Sequence, residues 1–539
     1  MTGALPPGYP LRVISAQAAA ASGARTGRAG DSGGFRIRWA LLISVAGGLA
    51  LYASFPPAGI WPLAVLGPAL LVLALTGRSL RGSFGCALAF GLAQFVPLLS
   101  WLINLAWYAW AALAVSEAVI FALLAIGQRL LLRLPYWPVA VAGWWVLVEG
   151  VRDRWPYAFP WGRLAMSQSV APDVRWVAFG GAPLLSFLIA LTGAMLAGAV
   201  LAWLGPDGRA RWTASVAAVV TAGLVLAGGL LPADPTGGAP TAQVAAIQGN
   251  VPRARDLPQQ LSATQVTQNH VDATLKLAAQ VKAGQRPAPD LVIWPENATD
   301  LDPFQNPSVY AQLSTAVAAI GKPILIGEVL NDPRRNVGQL WVPGRGPTTA
   351  YVKRQLVPFG EYIPYRGIIS SFSNLPALQP IDFTAGRRPV VFGVGKIRLG
   401  DVICYEVAFD HLVRSEVTAG ANLLAVQSND ADFEIDGQLG ETQQQTAMAR
   451  IRAVESDRAV VYASTTGEST IIAPDGSLIA HSGVWQQAIL DARVPLVSHR
   501  TLADRVGAWP EYVIIMLTVL ALAWAVVRAL RSRRAAGTP

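Results

Sequence analysis

Lys396-Ile-Arg-Leu-Gly-Asp-Val-Ile-Cys404-Tyr-Glu406 is an apolar, β-branched run that stops at a cysteine and an acid. It reads as a buried strand, and four more runs are of the same kind: Val244-Ala-Ala-Ile-Gln248, Leu291-Val-Ile-Trp294, Pro323-Ile-Leu-Ile-Gly327 and Leu423-Leu-Ala-Val-Gln427. Residues 258–284 and 438–457 read as helices, and Thr470–Ala480 as a hairpin turned by Asp475-Gly476. Strands alternating with helices predict a layered α/β domain with one large core.

The chain before this region is different. Of its 539 residues 53% are apolar and 14% charged, with mean hydropathy +0.40, whereas soluble domains carry about 25% charged residues. Residues 39–231 hold 15 charged side chains in 193 positions, and residues 232–508 hold 49 in 277. Windows long enough to cross hydrocarbon fall near 39–56, 58–76, 84–105, 107–128, 136–150, 177–203 and 213–231, with an eighth near 510–528. The expected division is a disordered basic tail (1–38), a seven-span domain (39–231) and a water-facing domain (232–508). A last helix (509–530) and a basic tail (531–539) complete it. The late first apolar run, followed directly by more spans, does not fit a cleavable signal peptide.

Residues 1–38 carry five Arg and one Asp and residues 525–539 four Arg, so the two ends account for +8 of the net +9. Basic ends beside apolar spans are topology signals before they are phosphate-binding patches, so nucleic acid is not an expected partner. Arg36 and Arg38, Arg78 and Arg81, Arg129 and Arg133, Arg209 and Arg211, and Arg528 to Arg534 flank every second loop. That pattern puts both termini in the cytoplasm and residues 232–508 outside it. The loop after the fifth span breaks it with Arg152, Arg154 and Arg163. Its aromatic run through Trp155, Tyr157, Phe159 and Trp161 reads either as an interfacial belt or as the wall of a lipid-binding site, with Trp161 the residue singled out.

Cys86 lies in an apolar run and Cys404 in the polar region, so no disulfide framework is expected. His270, His411, His481 and His499 lack metal-ligand spacing, and neither a metal nor a cofactor is indicated.

Three polar residues end or interrupt the apolar runs: Glu296 in Leu-Val-Ile-Trp-Pro-Glu, Lys353 in Tyr-Val-Lys-Arg-Gln-Leu-Val-Pro-Phe-Gly-Glu-Tyr-Ile-Pro, and Cys404. Singly, they read as a surface acid, a solvated lysine and a small core residue. Together they are a chemistry. A thiol needs a base or a nearby cation to become a nucleophile. A carboxylate can take the proton, and an ammonium can stabilise an oxyanion.

Ile-Trp-Pro-Glu-Asn, Lys-Arg-x-Leu-Val-Pro-Phe-Gly-Glu-Tyr-Ile-Pro and Ile-Cys-Tyr-Glu, in this order, resemble the three motif blocks of the nitrilase superfamily. More narrowly, with seven spans before and one after, the chain resembles the superfamily's membrane-embedded branch, the apolipoprotein N-acyltransferases. The resemblance implies an αββα sandwich and a triad of Glu296 as general base and acid, Lys353 as oxyanion and orientation partner, and Cys404 as nucleophile. It implies Glu361 and Glu406 as supporting acids, which read otherwise as salt-bridge partners of Lys353 or Arg354. The Tyr405 backbone N–H would be a second oxyanion donor and its ring a substrate contact, with Trp161 and Asn429 as further substrate contacts. The implied reaction is ping-pong transfer of the sn-1 acyl chain of a phospholipid, typically phosphatidylethanolamine, through a Cys404 thioester. The acceptor would be the α-amine of a diacylglyceryl-cysteine on an apolipoprotein in the bacterial cell membrane, the enzyme acting as a monomer.

Two departures stand out. Ser428-Asn-Asp-Ala-Asp432-Phe-Glu434 replaces the family's Ser-Asn-Asp-Ala-Trp-Phe-Gly, and Arg253-Ala-Arg-Asp-Leu-Pro258 stands where a Trp often follows Gln-Gly-Asn. Two rivals remain at this level. A tethered amidase or hydrolase would share the thioester, but an eight-span body exceeds a mere anchor. A transporter or inert scaffold would need intramembrane ionisable groups, of which Glu117 is the clearest, or the loss of a motif.

Overall fold

The computed structural model describes residues 36–231, 236–252, 259–371, 380–431, 433 and 439–536. Residues 1–35 of the basic tail, Arg253–Pro258, Asp432 and Glu434 lie outside the described residues.

Each of the eight apolar stretches is a helix: α1 (Ile37–Ser54), α2 (Leu63–Leu75), α3 (Leu80–Leu98), α4 (Trp107–Leu131), α5 (Trp137–Arg152), α6 (Val177–Leu204), α7 (Gly208–Leu226) and, at the end, α12 (Trp509–Ala536). Five segments are long and apolar enough to cross a membrane: Ile37–Ser54, Trp107–Leu131, Pro172–Leu204, Gly208–Leu230 and Trp509–Ser532. The 84–105 stretch is helical only as far as Leu98, one residue past Pro97, and residues Ser100–Ile103 tighten into a 3₁₀ turn. Ser79 caps the start of α3 (Gly82 N–H to Ser79 Oγ, 3.2 Å) and Asp207 that of α7. Small residues set the helix spacing. A Cβ at Gly48 would stand 2.2 Å from the Phe90 carbonyl, so α1 and α3 approach as only glycine allows.

The intramembrane acid Glu117 on α4 is bonded to Arg152 at the end of α5 and to Tyr157 Oη (2.8 Å). The other two arginines that disturb the loop pattern are engaged as well. Arg154 forks onto Glu511 (2.8 and 2.9 Å) and Arg163 onto Asp410 (2.9 and 3.0 Å). Each is thus paired with an acid of the protein.

The remaining chain forms two six-stranded sheets. The first has the order β12-β1-β2-β3-β4-β5, with β1 (Thr241–Gln248), β2 (Leu291–Ile293), β3 (Ile324–Asn331), β4 (Arg334–Val342), β5 (Gly346–Val352) and β12 (Ala488–Pro495). The second has the order β11-β10-β9-β8-β7-β6, with β6 (Val391–Val394), β7 (Ile397–Ile403), β8 (Leu423–Ser428), β9 (Val460–Ser464), β10 (Thr470–Ile472) and β11 (Leu478–His481). In each sheet the three central strands are parallel, β1-β2-β3 and β7-β8-β9, and the outer pairings are antiparallel. Val244, Ile293, Leu325, Leu399, Ala425 and Val461 form one apolar cluster between the sheets. Ile247, Val292 and Ile326 pack outward with Leu277 of α8 (Gln259–Lys282) and Leu313 of α9 (Pro307–Ile320). On the far side Val402, Val426 and Tyr462 pack with α10 (Asp410–Thr418) and α11 (Gly440–Ser456). The layers therefore run α-β-β-α. That last cluster is continuous with the core of the apolar helices, which seats the two-sheet domain on them.

Candidate active site

Glu296 follows β2, Lys353 follows β5 and Cys404 follows β7. In parallel sheets the carboxyl ends of the strands are where side chains leave the hydrogen-bonded framework and face a common space. Lys353 Nζ donates to Glu296 Oε1 at 2.9 Å and to Glu361 Oε1 at 3.0 Å, with the lysine 1% exposed. Asn336 on β4 donates its Nδ2 to the same two oxygens, at 2.6 Å to Glu296 and 3.1 Å to Glu361. Glu296 Oε2 accepts the Asn429 backbone N–H at 3.0 Å. Glu361 closes its own loop by accepting the Val357 N–H at 2.8 Å. Burial lifts Glu296 above the ordinary carboxylate range; Lys353 opposes the lift and Glu361 adds to it. For Lys353 burial works against the charge, but Glu296 and Glu361 outweigh it and hold the ammonium well above its usual pKa.

Cys404 has φ +53°, a left-handed turn that costs a non-glycine residue roughly 1–2 kcal/mol. Glu406 stabilises it. Its carboxylate accepts the N–H groups of Ile403 (2.8 Å), Arg354 (2.6 Å) and Gln355 (3.0 Å) and the hydroxyl of Tyr351 (2.7 Å). It thus ties the β7 elbow to the segment that carries Lys353. Glu406 is bonded to neither the ammonium of Lys353 nor the guanidinium of Arg354, which reaches Glu416 instead (2.7 Å).

The thiol is buried, and Gln445 Nε2 on α11 approaches its Sγ at 3.5 Å. Burial, then the Glu296 carboxylate, pushes the thiol well above its usual pKa, against the pull of Lys353. This environment favours the neutral thiol. Its alkylation by iodoacetamide is expected to keep rising with pH beyond 9, with no plateau near neutrality. A plateau below pH 8 would mean a preformed thiolate.

Tyr405 turns toward the membrane part. Its Oη donates to the Ala158 carbonyl (2.6 Å), and its ring lies parallel to Trp161 and Phe159 with centroids 6.3 Å from each. Trp161 is 2% exposed, packs on Trp101 and donates Nε1 to Gln444 Oε1. It is buried inside the protein, whereas Trp155 of the same loop is exposed. The side-chain oxygen of Asn429 accepts from Thr465 Oγ1 (2.8 Å) and the Ala431 N–H (3.3 Å), while its own N–H holds Glu296.

Asn336, Gln445 and Glu441, which bonds Gln445, belong to the same cluster and carry no motif signal. Asn336 lies in a polar strand, and the two others are turns of a helix whose amphipathic pattern says nothing about sulfur. His270 is a core residue. Its Nδ1 pairs with the Val266 carbonyl (2.8 Å), and burial lowers its pKa to about 4.

Two stacked sheets with a Glu–Lys pair and an elbow cysteine at their strand ends, set on a bed of apolar helices, define a membrane-associated carbon-nitrogen hydrolase-type enzyme. Residues 243–504 match the carbon-nitrogen hydrolase family, and residues 47–195 match the apolipoprotein N-acyltransferase N-terminal domain. The apolipoprotein N-acyltransferase of Mycolicibacterium smegmatis is 37% identical over 516 residues, covering 90% of this chain and 85% of the relative. That of Azotobacter vinelandii is 31% identical over 92% of this chain and 96% of the relative. Among solved structures, an amidase from Nesterenkonia sp. is 19% identical with a TM-score of 0.36, covering 49% of this chain and 92% of that one. The chain belongs to the apolipoprotein N-acyltransferase family.

Proposed function

We propose that this enzyme moves a fatty acyl chain from the sn-1 ester of a membrane phospholipid, phosphatidylethanolamine in the first instance, onto the α-amine of the N-terminal diacylglyceryl-cysteine of an apolipoprotein. The observation that carries the reading is the buried Glu296–Lys353 pair, with the elbow of Cys404 turned from the same strand ends and packed through Tyr405 on the apolar helices.

In the first half-reaction Glu296 takes the thiol proton as Sγ attacks the ester carbonyl. Lys353 and the Tyr405 backbone N–H stabilise the oxyanion. The carbon–oxygen bond then breaks, Glu296 returns the proton to the leaving alkoxide, and a lysophospholipid departs from the thioester. In the second half-reaction the amine attacks the thioester, Glu296 accepts its proton, and the thiolate leaves and is reprotonated. A carboxyl lifted above its usual range suits both directions of this shuttle. Glu361 holds Lys353 in place, and Glu406 holds the elbow. Trp161 walls the acyl site, and Asn429 orients Glu296 beside the substrate.

Eight spans, seven before residue 232 and one after 508, would set residues 232–508 outside the cytoplasm and both ends inside it. The flanking arginines support this. A monomer with its site at the outer leaflet meets both lipid-anchored substrates at high effective concentration.

The test is intact-mass spectrometry of the purified full chain after incubation with phosphatidylethanolamine. A fatty-acyl adduct is expected, discharged by a diacylglyceryl-cysteine peptide faster than by water. Lysophospholipid release with no adduct would overturn the covalent route, and discharge by water alone would make the enzyme a hydrolase. In the same assay Gln445→Leu, which removes the amide beside Sγ, is expected to slow thioester discharge about tenfold by depriving the leaving thiolate of a donor. Unchanged discharge would confine Gln445 to packing.

A further inference from the structure

Asp401 is the one charged residue in the run Leu399–Cys404 that ends at the nucleophile. On β7 it alternates with Val402 and shares a face with Leu399 and Ile403, so its side chain enters the space between the two sheets, where it is fully buried. Gln427 on β8, paired with Ile403, enters the same space and is equally buried. Room for the two comes from Gly338 on β4 of the opposite sheet. A Cβ there would stand 2.1 Å from Asp401 Oδ2 and 2.6 Å from Gln427 Oε1. Both oxygens crowd one point, which a glycine leaves open.

The hydrogen bonds at this point lack a donor. Neither carboxyl oxygen of Asp401 has one among the described residues, and neither does Gln427 Oε1. Gln427 cannot turn its amide round to supply it. Its Nε2 donates to the Trp294 carbonyl at 2.6 Å, and a flipped amide would set oxygen against oxygen there. The cations of this region are committed elsewhere: Lys353 to Glu296 and Glu361, Arg354 to Glu416. A carboxyl buried without a donor or a cation keeps its proton. The charged groups that face Asp401 act in the same direction. Burial, then the carboxylates of Glu406 at the elbow, Glu416 on α10 and Glu296 after β2, raise its pKa well above the usual value against the Val402 N–H.

We propose that Asp401 is a neutral carboxylic acid whose hydroxyl donates to Gln427 Oε1, completing a tie from β7 through β8 to the Trp294 carbonyl at the end of β2. Cys404 lies three residues beyond Asp401, and Glu296 two beyond Trp294. The tie therefore crosses between the sheets just beneath the nucleophile and the base and fixes one against the other. Asp401 acts through Gln427 and is a positioning residue. That role rests on the acyl transfer proposed above, whereas the protonated acid does not.

The experiment uses the purified full chain in detergent and begins with infrared difference spectra of the wild type against Asp401→Asn. The carbonyl stretch of a protonated carboxyl is expected in the wild type, missing from the variant and unchanged between pH 6 and pH 9. An ionised-carboxylate band in its place would overturn the proposal. Thermal unfolding gives a second reading. Asp401 ionises near pH ~4 in the unfolded chain but stays protonated in the folded one, so the wild type loses stability relative to Asp401→Asn as pH rises above that value. The midpoint of the variant should therefore gain on the wild type from pH 5 to pH 7.5, and a trend of opposite sign would mean a charged Asp401.

The tie itself is read from turnover. Asp401→Leu, which has no donor, is expected to slow thioester formation about tenfold with KM unchanged, the scale of one lost hydrogen bond. Asp401→Asn, whose amide can donate to Gln427 Oε1, should recover most of the rate. A wild-type rate in the leucine variant, or equal losses in both, would overturn the positioning role. If leucine prevents folding, the asparagine variant decides alone, since a tenfold loss there would show that an amide donor does not replace the acid. A wild type that forms no thioester would defeat the proposed function and leave the infrared and unfolding results standing.

Discussion

Cys404→Ala is expected to lose the acyl adduct and at least about 10³-fold of turnover while keeping the wild-type fold. The expected loss follows from the position of Sγ at the elbow, beside Gln445 and within the field of both Glu296 and Lys353. Retention of the fold follows from the backbone. The strain at φ +53° arises from a Cβ, which alanine and serine keep, so neither substitution relieves or worsens the turn. The Glu406 clasp on Ile403, Arg354 and Gln355 does not involve the sulfur. Thermal unfolding should therefore move little, and Cys404→Ser should behave the same way. An unchanged turnover in either variant would remove the covalent mechanism, whereas a collapsed transition would show that the thiol holds the elbow itself.

Lys353→Met should have two large effects. Thioester formation is expected to fall about 10²- to 10³-fold, because the ammonium is the charged partner of the developing oxyanion. Stability at neutral pH is expected to fall by about 3–5 kcal/mol, since Glu296 and Glu361 would be left as buried acids without their shared cation. The pH dependence fixes the cause. Without the ammonium, burial and the neighbouring Glu361 carboxylate would hold the folded-state pKa of Glu296 above that of the unfolded chain. The folded variant then binds more protons, so its deficit should shrink as pH falls through the folded pKa and be fully present above it. Urea unfolding of the variant and wild type at pH 5 and 7.5 checks this. A deficit independent of pH would indicate lost packing rather than lost charge.

The strands that could be read from the chain are those buried on both faces, such as β1, β3, β7 and β8, where continuous apolar runs leave no alternative. Strands β4, β5, β6 and β12 were not legible, because Arg334-Arg-Asn-Val, Gly346-Pro-Thr-Thr and the half-exposed β12 lack that pattern. They become strands by pairing with neighbours already in place. The same division runs through the site. Glu296 and Cys404 were visible because each ends an apolar run, and Lys353 because of the motif around it. Asn336 and Gln445 were invisible, since an amide in a polar strand or on a helix has no meaning until a partner is set beside it.

Local order therefore lay in the chain itself: eight apolar helices, the buried strands, and a glutamate, a lysine and a cysteine at the ends of apolar segments. Those features depend on hydrophobic periodicity and chain chemistry over a dozen residues, which a sequence states directly. Tertiary structure decided the rest. It set one ammonium between two carboxylates, matched three loop arginines with acids up to 357 residues away, and buried Trp161 of the aromatic loop while leaving Trp155 exposed. Each of these depends on distances of a few ångströms between segments far apart in the chain. Coulomb and hydrogen-bond energies act over that range, and only the closed fold brings the groups within it.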